Sequence, residues 1–464
     1  MSLSSSSRGR RSALVVVFVA SATLVGGFLL WGALRQGPAP QISLTSERPA
    51  VGAAPVRVSA HFVESARGVG TVTLEFVQGD HSAILAERKF TRPGSYAVFT
   101  HAGTSEATLD GVIDRSALPW LQEGDATLRA RANRASGALR SAAEVAVEQR
   151  LVVRFRPPRL EVLSQQHYVR QGGSGAILLR VGDTTARAGV RAGTWESLAW
   201  SRPGGAANER VGLFAVPWDL ADGAGIRAFA EDDAGNRIEV PFLTLYRPVP
   251  PRHDVIDLSD AFLGRVVPAI AAETTGFDAS GTPLDGYLRI NGALRRDTLA
   301  QIRKLAGASE GRVRFAGPFL QMPNSQRRAG FAETRTYRYQ GRAVDTQTHL
   351  GLDLASREHA PVPAANSGTV SFAGFLSIYG NAVIIDHGLG LATLYGHMSR
   401  LDVTAGQVVA KGAILGATGM TGLAGGDHLH FEVFIQGHSV DPIEWLDAHW
   451  IRDNIASKIP IPGV

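Results

Sequence analysis

The chain has 464 residues, a length that suggests about three globular units, and its 44% apolar content is enough for cores. It contains no cysteine, which excludes disulfide staples and thiolate metal sites and leaves His, Asp and Glu as ligands. The net charge is +5, lysine occurs only at 89, 304, 411 and 458, and no basic run interleaves with aromatics, so no nucleic-acid partner is expected.

Arg8, Arg10 and Arg11 precede Ser12–Leu34, a stretch without a charged residue. At about 1.5 Å per residue it can cross a hydrocarbon core of about 30 Å. The arginines favour a cytoplasmic N-terminus, and Trp31 falls where an interfacial aromatic is expected. A cleaved signal peptide is the rival reading, but a clean small-x-small site is missing. Residues 1–35 are therefore expected to form a cytoplasmic tip and transmembrane helix. The chain would pass once through the cell inner membrane, with its C-terminal part facing the periplasm or the cell exterior.

Residues 36–42 read as a linker. From 43 to 155 the runs VRVSAHFV and TVTLEFV alternate with period 2 and predict a β-rich, sandwich-like domain. LEVLSQQHYV, GAILLRV and RAFAEDDAGNRIEVPF predict a second one over 156–250, with DDAGN as a hairpin turn. This second domain is similar to bacterial immunoglobulin-like β domains. Residues 43–250 are candidates for binding a protein partner. The PVPPR run at 248–252 reads as a linker. Helical spacing in DLSDAFLGRVVPAIAAE, and in Thr298–Gly307 with Asp297 as cap, predicts a helical connector over 251–312 that acts as a spacer. From 313 to 450 the pattern is β again with frequent glycine, and 451–464 reads as a tail. The fold class is mainly β: an N-terminal transmembrane helix, two sandwich-like domains, a short helical segment and a C-terminal antiparallel β domain.

Eight of the 13 histidines lie between 349 and 449. They form His349-Leu-Gly-Leu-Asp353, Leu394-Tyr-Gly-His397 and Asp427-His428-Leu-His430-Phe-Glu432. In an extended HLHFEVFI, period 2 puts His428, His430 and Glu432 on one face and Leu429, Phe431, Val433 and Ile435 towards the core. His349 and Asp353 share a face in the same way. Two imidazoles and a carboxylate suit Zn²⁺ without thiolates, and a catalytic zinc keeps a fourth position open. His359, His387, His438 and His449 read as ordinary surface or core histidines.

These motifs carry a resemblance. HLGLDLAS, PVPAANSGTV, YGNAVIIDHGLGLATLYGHMSRL, GGDHLHFEV and VDP stand in one order within 345–444. That stretch resembles the lysostaphin/LytM-type peptidoglycan endopeptidases, peptidase family M23, in a domain placed at 313–450. The resemblance implies one zinc per chain held by His349, Asp353 and His430. It implies His428 as general base, and His397 as the histidine that orients water or stabilises the oxyanion. Asn381 matches a position that contacts substrate in the family. Tyr337 and Tyr339 are the candidates for a tyrosine that precedes the HxxxD motif and assists catalysis. Glu432 reads as a supporting group, Asp427 as a tuner of His428 or a turn cap, and Asn324 as a ligand that could occlude the groove. The function implied is a membrane-anchored zinc metalloendopeptidase that cuts the peptide cross-links of peptidoglycan. The alternatives are a non-catalytic LytM-type regulator or activator of cell-wall amidases, and a hydrolase of another extracytoplasmic peptide.

Overall fold

Alternation of branched apolar with polar residues makes strands the main element of this chain, and the way their faces are covered decides where the site lies. The structure is a computed structural model that describes residues 7–34, 39–64, 68–90, 105–134 and 144–462. The chain divides into two units, Met1–Pro157 with Asp232–Asn236, and Pro158–Glu231 with Arg237–Val464.

The first unit starts with the helix Ser7–Leu34. Among the described residues, no helix is long and apolar enough to cross a membrane. The anchor expected from the sequence therefore gains no support here, and the side chains of Arg8, Arg10, Arg11 and Trp31 lie outside the described residues. Two sheets follow. The strand Val56–Val63 alternates buried with more exposed positions and is central to a three-stranded sheet, between Gln41–Ser46 and Glu106–Ile113. A five-stranded sheet runs Ala50–Val51, Glu144–Val153, Gly124–Arg134, Val69–Gln78 and His81–Lys89. Their inward faces share one core that includes Phe62, Leu74, Phe76 and Leu128.

The second unit begins with two four-stranded sheets between 160 and 241. The DDAGN segment closes the hairpin of Ile226–Asp232 with Arg237–Pro241. Leu179, Val190, Phe214 and Ala228 fill the space inside. The outer side of this sandwich is also used. Ala176, Val211, Leu213 and Ala215 join the same core as Trp445, Ile451 and Ile455 from the C-terminal part. The linker read at 248–252 is thus a boundary in sequence and not in packing.

The C-terminal part is built on an eight-stranded sheet. Its path runs Gln326–Ala329, Leu352–Ala355, Leu429–Ile435, Leu391–Met398, Asn381–Gly388, Gly368–Phe375 and Val408–Val409, and His438–Val440 pairs beside Leu429–Ile435. The strands Leu391–Met398 and Leu429–Ile435 are buried along their whole length. One face packs Tyr395, Phe431, Val433 and Ile435 with Trp445. The other face carries Ala392, Leu394 and Phe434, and the helices Asp260–Glu273, Pro283–Arg289 and Arg295–Gly307 lie on it.

The helical stretch therefore differs from a spacer. Leu263, Val266, Val267 and Ile270 recur at helical spacing and cover the sheet that bears the histidines. Thr282, not Asp297, supplies the cap: it forms a capping box with Asp285 at the start of Pro283–Arg289, and the chain stays helical through a π-helical turn, Ile290–Leu294, into Arg295–Gly307. Residues 252–258 are not helical. They form a strand parallel to Glu333–Tyr339, which pairs antiparallel with Arg342–His349. Residues 451–461, read as a tail, place Ile451, Ile455, Ile459 and Ile461 in the core, because these four apolar side chains join the cluster under the main sheet.

Candidate metal centre and active site

Sheet register brings the ligand residues together. His349 ends the strand Arg342–His349, the chain turns at Leu350–Gly351, and Asp353 lies in the strand Leu352–Ala355. Asp353 is the direct cross-strand partner of His430. A side chain on Gly351 would not fit, because a Cβ there would come within 2.7 Å of His430 Nε2 and 2.8 Å of Glu432 Cγ. Gly351 thus allows the turn to pass close over the imidazole.

Three ligand atoms converge. His349 Nε2 is 3.0 Å from Asp353 Oδ1 and 3.1 Å from His430 Nδ1, and His430 Nδ1 is 2.9 Å from Asp353 Oδ1. A tetrahedral zinc with bonds of roughly 2.0–2.1 Å places its ligand atoms about 3.3 Å apart. The donor set of two imidazoles and one carboxylate, all buried, fits that ion.

The surrounding bonds fix each ring. The Gly330 carbonyl can only accept, so His349 donates Nδ1–H to it at 2.8 Å and presents Nε2. His430 donates Nε2–H to Glu432 Oε1 at 2.8 Å and presents Nδ1. The same Glu432 oxygen accepts the Tyr379 hydroxyl at 2.7 Å. The second oxygen of Asp353 accepts from Arg335 Nη2 at 2.8 Å. A carboxylate behind a ligand histidine orients it and raises its basicity.

Charge balance follows from burial and these partners. Burial alone would raise Asp353, but the neighbouring histidines hold its carboxyl well below the usual range. Burial pushes His349 down, against the pull of Asp353. Burial also works against a charged His430, yet hydrogen bonds to Asp353 and Glu432 hold it up, at about 9. His397 is pushed well below 6.5 by burial first, and by the neighbouring imidazoles of His428 and His430.

His428 and His397 face the centre as a pair, with ring centroids 4.8 Å apart. His428 donates Nδ1–H to the Gly426 carbonyl at 2.8 Å, and its Nε2 lies 3.6 Å from Asp353 Oδ1. His397 donates Nδ1–H to the Thr421 carbonyl at 2.8 Å. With the proton held on Nδ1, each ring presents Nε2 as its acceptor atom. His397 has φ +63 and sits where the register with Asn381–Gly388 shifts. Such a bulge re-aims a side chain, and the left-handed conformation costs about 1–3 kcal/mol.

The structure separates the remaining sequence candidates. Tyr337 is buried in the wall of the cavity that the centre shares, edge-on to Tyr287 with centroids at 5.8 Å. Tyr339 turns away and donates to Asp260 Oδ1 at 2.7 Å. Asn381 does not line that cavity. Its N–H donates to Thr421 Oγ1 and its Nδ2 to the Met398 carbonyl, so it ties down the loop that holds His397. Asp427 accepts from Thr418 Oγ1 and from the His359 N–H, which makes it a turn tie. Asn324 is exposed and does not line the cavity. His387 is a satisfied core histidine, with Nδ1–H on the Ser367 carbonyl and Nε2 beside Thr393 Oγ1. Arg335 and Tyr379 went unread in the sequence. Arg335 stands two residues before Tyr337 on one strand face, and Tyr379 opens the YGN motif in which only Asn381 was singled out.

The profile of peptidase family M23 matches residues 347–442. DD-carboxypeptidase/endopeptidase Mpg of Neisseria meningitidis serogroup B is 41% identical over 95 residues, 20% of this chain and 22% of that protein. Peptidoglycan DD-endopeptidase ShyB of Vibrio cholerae is 34% identical over 116 residues, 25% of this chain and 26% of that protein. The chain therefore spans about a quarter or less of the length of these relatives. The catalytic domain of lysostaphin from Staphylococcus simulans is 27% identical and covers 27% of this chain and 94% of its own, with a TM-score of 0.24. Residues 347–442 are a peptidase family M23 domain.

Proposed function

We propose that this chain is a zinc metalloendopeptidase that hydrolyses peptide cross-links of peptidoglycan. The observation that carries the reading is the pairing of a three-atom ligand cluster with two histidines that both keep Nε2 as an acceptor. The names of the relatives as peptidoglycan endopeptidases support the substrate class.

His349 Nε2, Asp353 Oδ1 and His430 Nδ1 would hold the metal. A bound zinc supplies Lewis acidity, which acidifies water to a pKa near 7 and polarises an amide carbonyl. His428, with its Nδ1–H on the Gly426 carbonyl, accepts a proton from the attacking water at Nε2 and passes it to the leaving amine. His397 is held neutral by burial, so its Nε2 accepts a hydrogen bond and orients water. Of the two roles open to it, this geometry favours orientation over donation to an oxyanion. Glu432 and Tyr379 keep the His430 ring in its plane.

The uncharged stretch Ser12–Leu34 supports an N-terminal membrane anchor, and within it Val15, Phe18 and Leu24 are exposed along a helix. Such an anchor would place the peptidase outside the cytoplasm, where its substrate lies. Protease accessibility in intact cells, compared with spheroplasts, checks this. A chain released wholly into the soluble cytoplasmic fraction counts against it.

The central test loads the full chain with zinc and digests cross-linked peptidoglycan, with products identified by mass. New amine termini are expected. Their absence from a zinc-loaded chain removes the reading and leaves a regulator. His349→Ala should lose the metal. His428→Ala should keep the metal and lose turnover, and loss of metal there would overturn the division of roles.

A further inference from the structure

We propose, resting on the peptidase reading above, that Arg295 is the base of a carboxylate-binding subsite beside the metal centre. The preferred peptide then carries a free carboxylate next to the scissile amide.

The metal centre shares a cavity of about 720 Å³ with the helical wall. Away from the histidines this cavity is lined by Tyr287, Tyr337, Tyr379 and Ile378, all buried, and by Arg295. The cavity has four arginines, and they are not equivalent. Arg335 is paired with Asp353 and Glu333. Arg303 and Arg328 are exposed to solvent. Arg295 is half-buried, and among the described residues it makes no ion pair within 4.0 Å.

The bonds of Arg295 explain its orientation. Its Nε and Nη2 both donate to Asn291 Oδ1, at 3.1 and 2.6 Å. Asn291 Nδ2 donates in turn to Asp345 Oδ2 at 2.7 Å. Asn291 lies in the π-helical turn Ile290–Leu294, and Arg295 follows it directly. Such turns are rare and recur at functional sites. One edge of the guanidinium is thereby locked, and its Nη1–Nη2 edge has no acceptor among the described residues. That edge is the fork that grips a carboxylate through two parallel bonds.

Electrostatics favours an anionic occupant. A partly desolvated cation without a counter-charge is costly, and a carboxylate offsets that cost. The nearby protein carboxylates are already engaged, Glu432 by His430 and Tyr379, and Asp345 by Asn291 and Gln347. The turn that carries Asn291 packs against Ser377–Tyr379. The Tyr379 hydroxyl in turn bonds to the carboxylate that holds His430.

The test uses the zinc-loaded full chain and two synthetic murein-type peptides that differ only in carboxylate against carboxamide beside the scissile bond. The wild type should favour the acid by about tenfold or more, mainly in KM, as a charge-assisted bidentate pair implies. Arg295→Gln should abolish the preference, and Arg295→Lys should restore part of it. A residue that merely staples the helix to Asp345 would lower stability and leave the acid-to-amide ratio unchanged. That result overturns the proposal, as does a wild type without preference. The same peptides are titrated calorimetrically into the His428→Ala chain. Acid-selective binding there, lost with Arg295→Gln, supports the subsite even if the wild type hydrolyses neither peptide, an outcome that removes only the peptidase reading. Hydrolysis without charge preference removes only the subsite.

Discussion

At the scale of single residues, the centre depends on one close approach and one displaced proton. Gly351→Ala places a methyl group against the His430 ring and Glu432. Its zinc affinity should fall by about tenfold or more, as for other changes behind metal ligands, read by competition with a chromophoric chelator. Unchanged affinity would mean that the turn relaxes. Glu432→Gln keeps the shape and removes the charge behind His430, and a loss of about 10–100-fold in metal affinity or activity is expected. Because partners hold the metal-free His430 ring at about 9, above its ordinary 6.5, it is cationic near neutral pH. Metal uptake at pH 7.5 should therefore release about one proton, seen as a buffer-dependent enthalpy in calorimetry. The sign for stability is that of a raised group: its contribution in the metal-free chain is full below pH 6.5 and is lost as pH rises through about 9. The ligand trio and the two further histidines were legible in the sequence, since few residue types can do this chemistry and their spacing carried a resemblance. Arg335, Tyr379 and the bulge at His397 were not. They depend on which strands become neighbours, and single-strand periodicity does not report that.

Among the elements, the helices from 260 to 307 hold the least expected role. Their amphipathic spacing was readable, but nothing local shows which sheet face an apolar stripe will meet. Ile270 and Ile302 are fully buried between these helices and the main sheet. Ile270→Ala or Ile302→Ala should each destabilise the chain by about 2–5 kcal/mol, measured by denaturant unfolding. A spacer role would leave stability within about 0.5 kcal/mol, as for surface changes. A fragment of residues 313–464 would uncover Ala392, Leu394 and Phe434, and it should aggregate or unfold at a lower temperature than 158–464. Equal melting of the two fragments would show that the helices add nothing to the sheet.

In the molecule as a whole, the sandwich of 160–241 and the peptidase sheet share one core and a buried polar joint. Glu444 accepts from the Ser174 N–H and hydroxyl at 2.8 and 3.0 Å, and Trp445 Nε1 donates to the same hydroxyl. Burial, helped by Asp441, pushes the Glu444 carboxyl up to about 8. A raised carboxyl contributes stability that is full below its ordinary 4.5 and is lost as pH rises through about 8. The melting temperature should fall between about pH 4.5 and 8, and Glu444→Gln should flatten that fall. The linker expected at 248–252 was read from composition, and composition is blind to a core that crosses it. The two walls of the groove have a further consequence. The histidines that would cut come from one stretch of chain, and the helices that face them come from the stretch before it. If the proposed roles hold, reaction and choice of substrate lie in separate stretches of the sequence. On the proposed reading, drift or exchange in 252–307 would change the peptide accepted and leave the histidine-bearing strands unaltered.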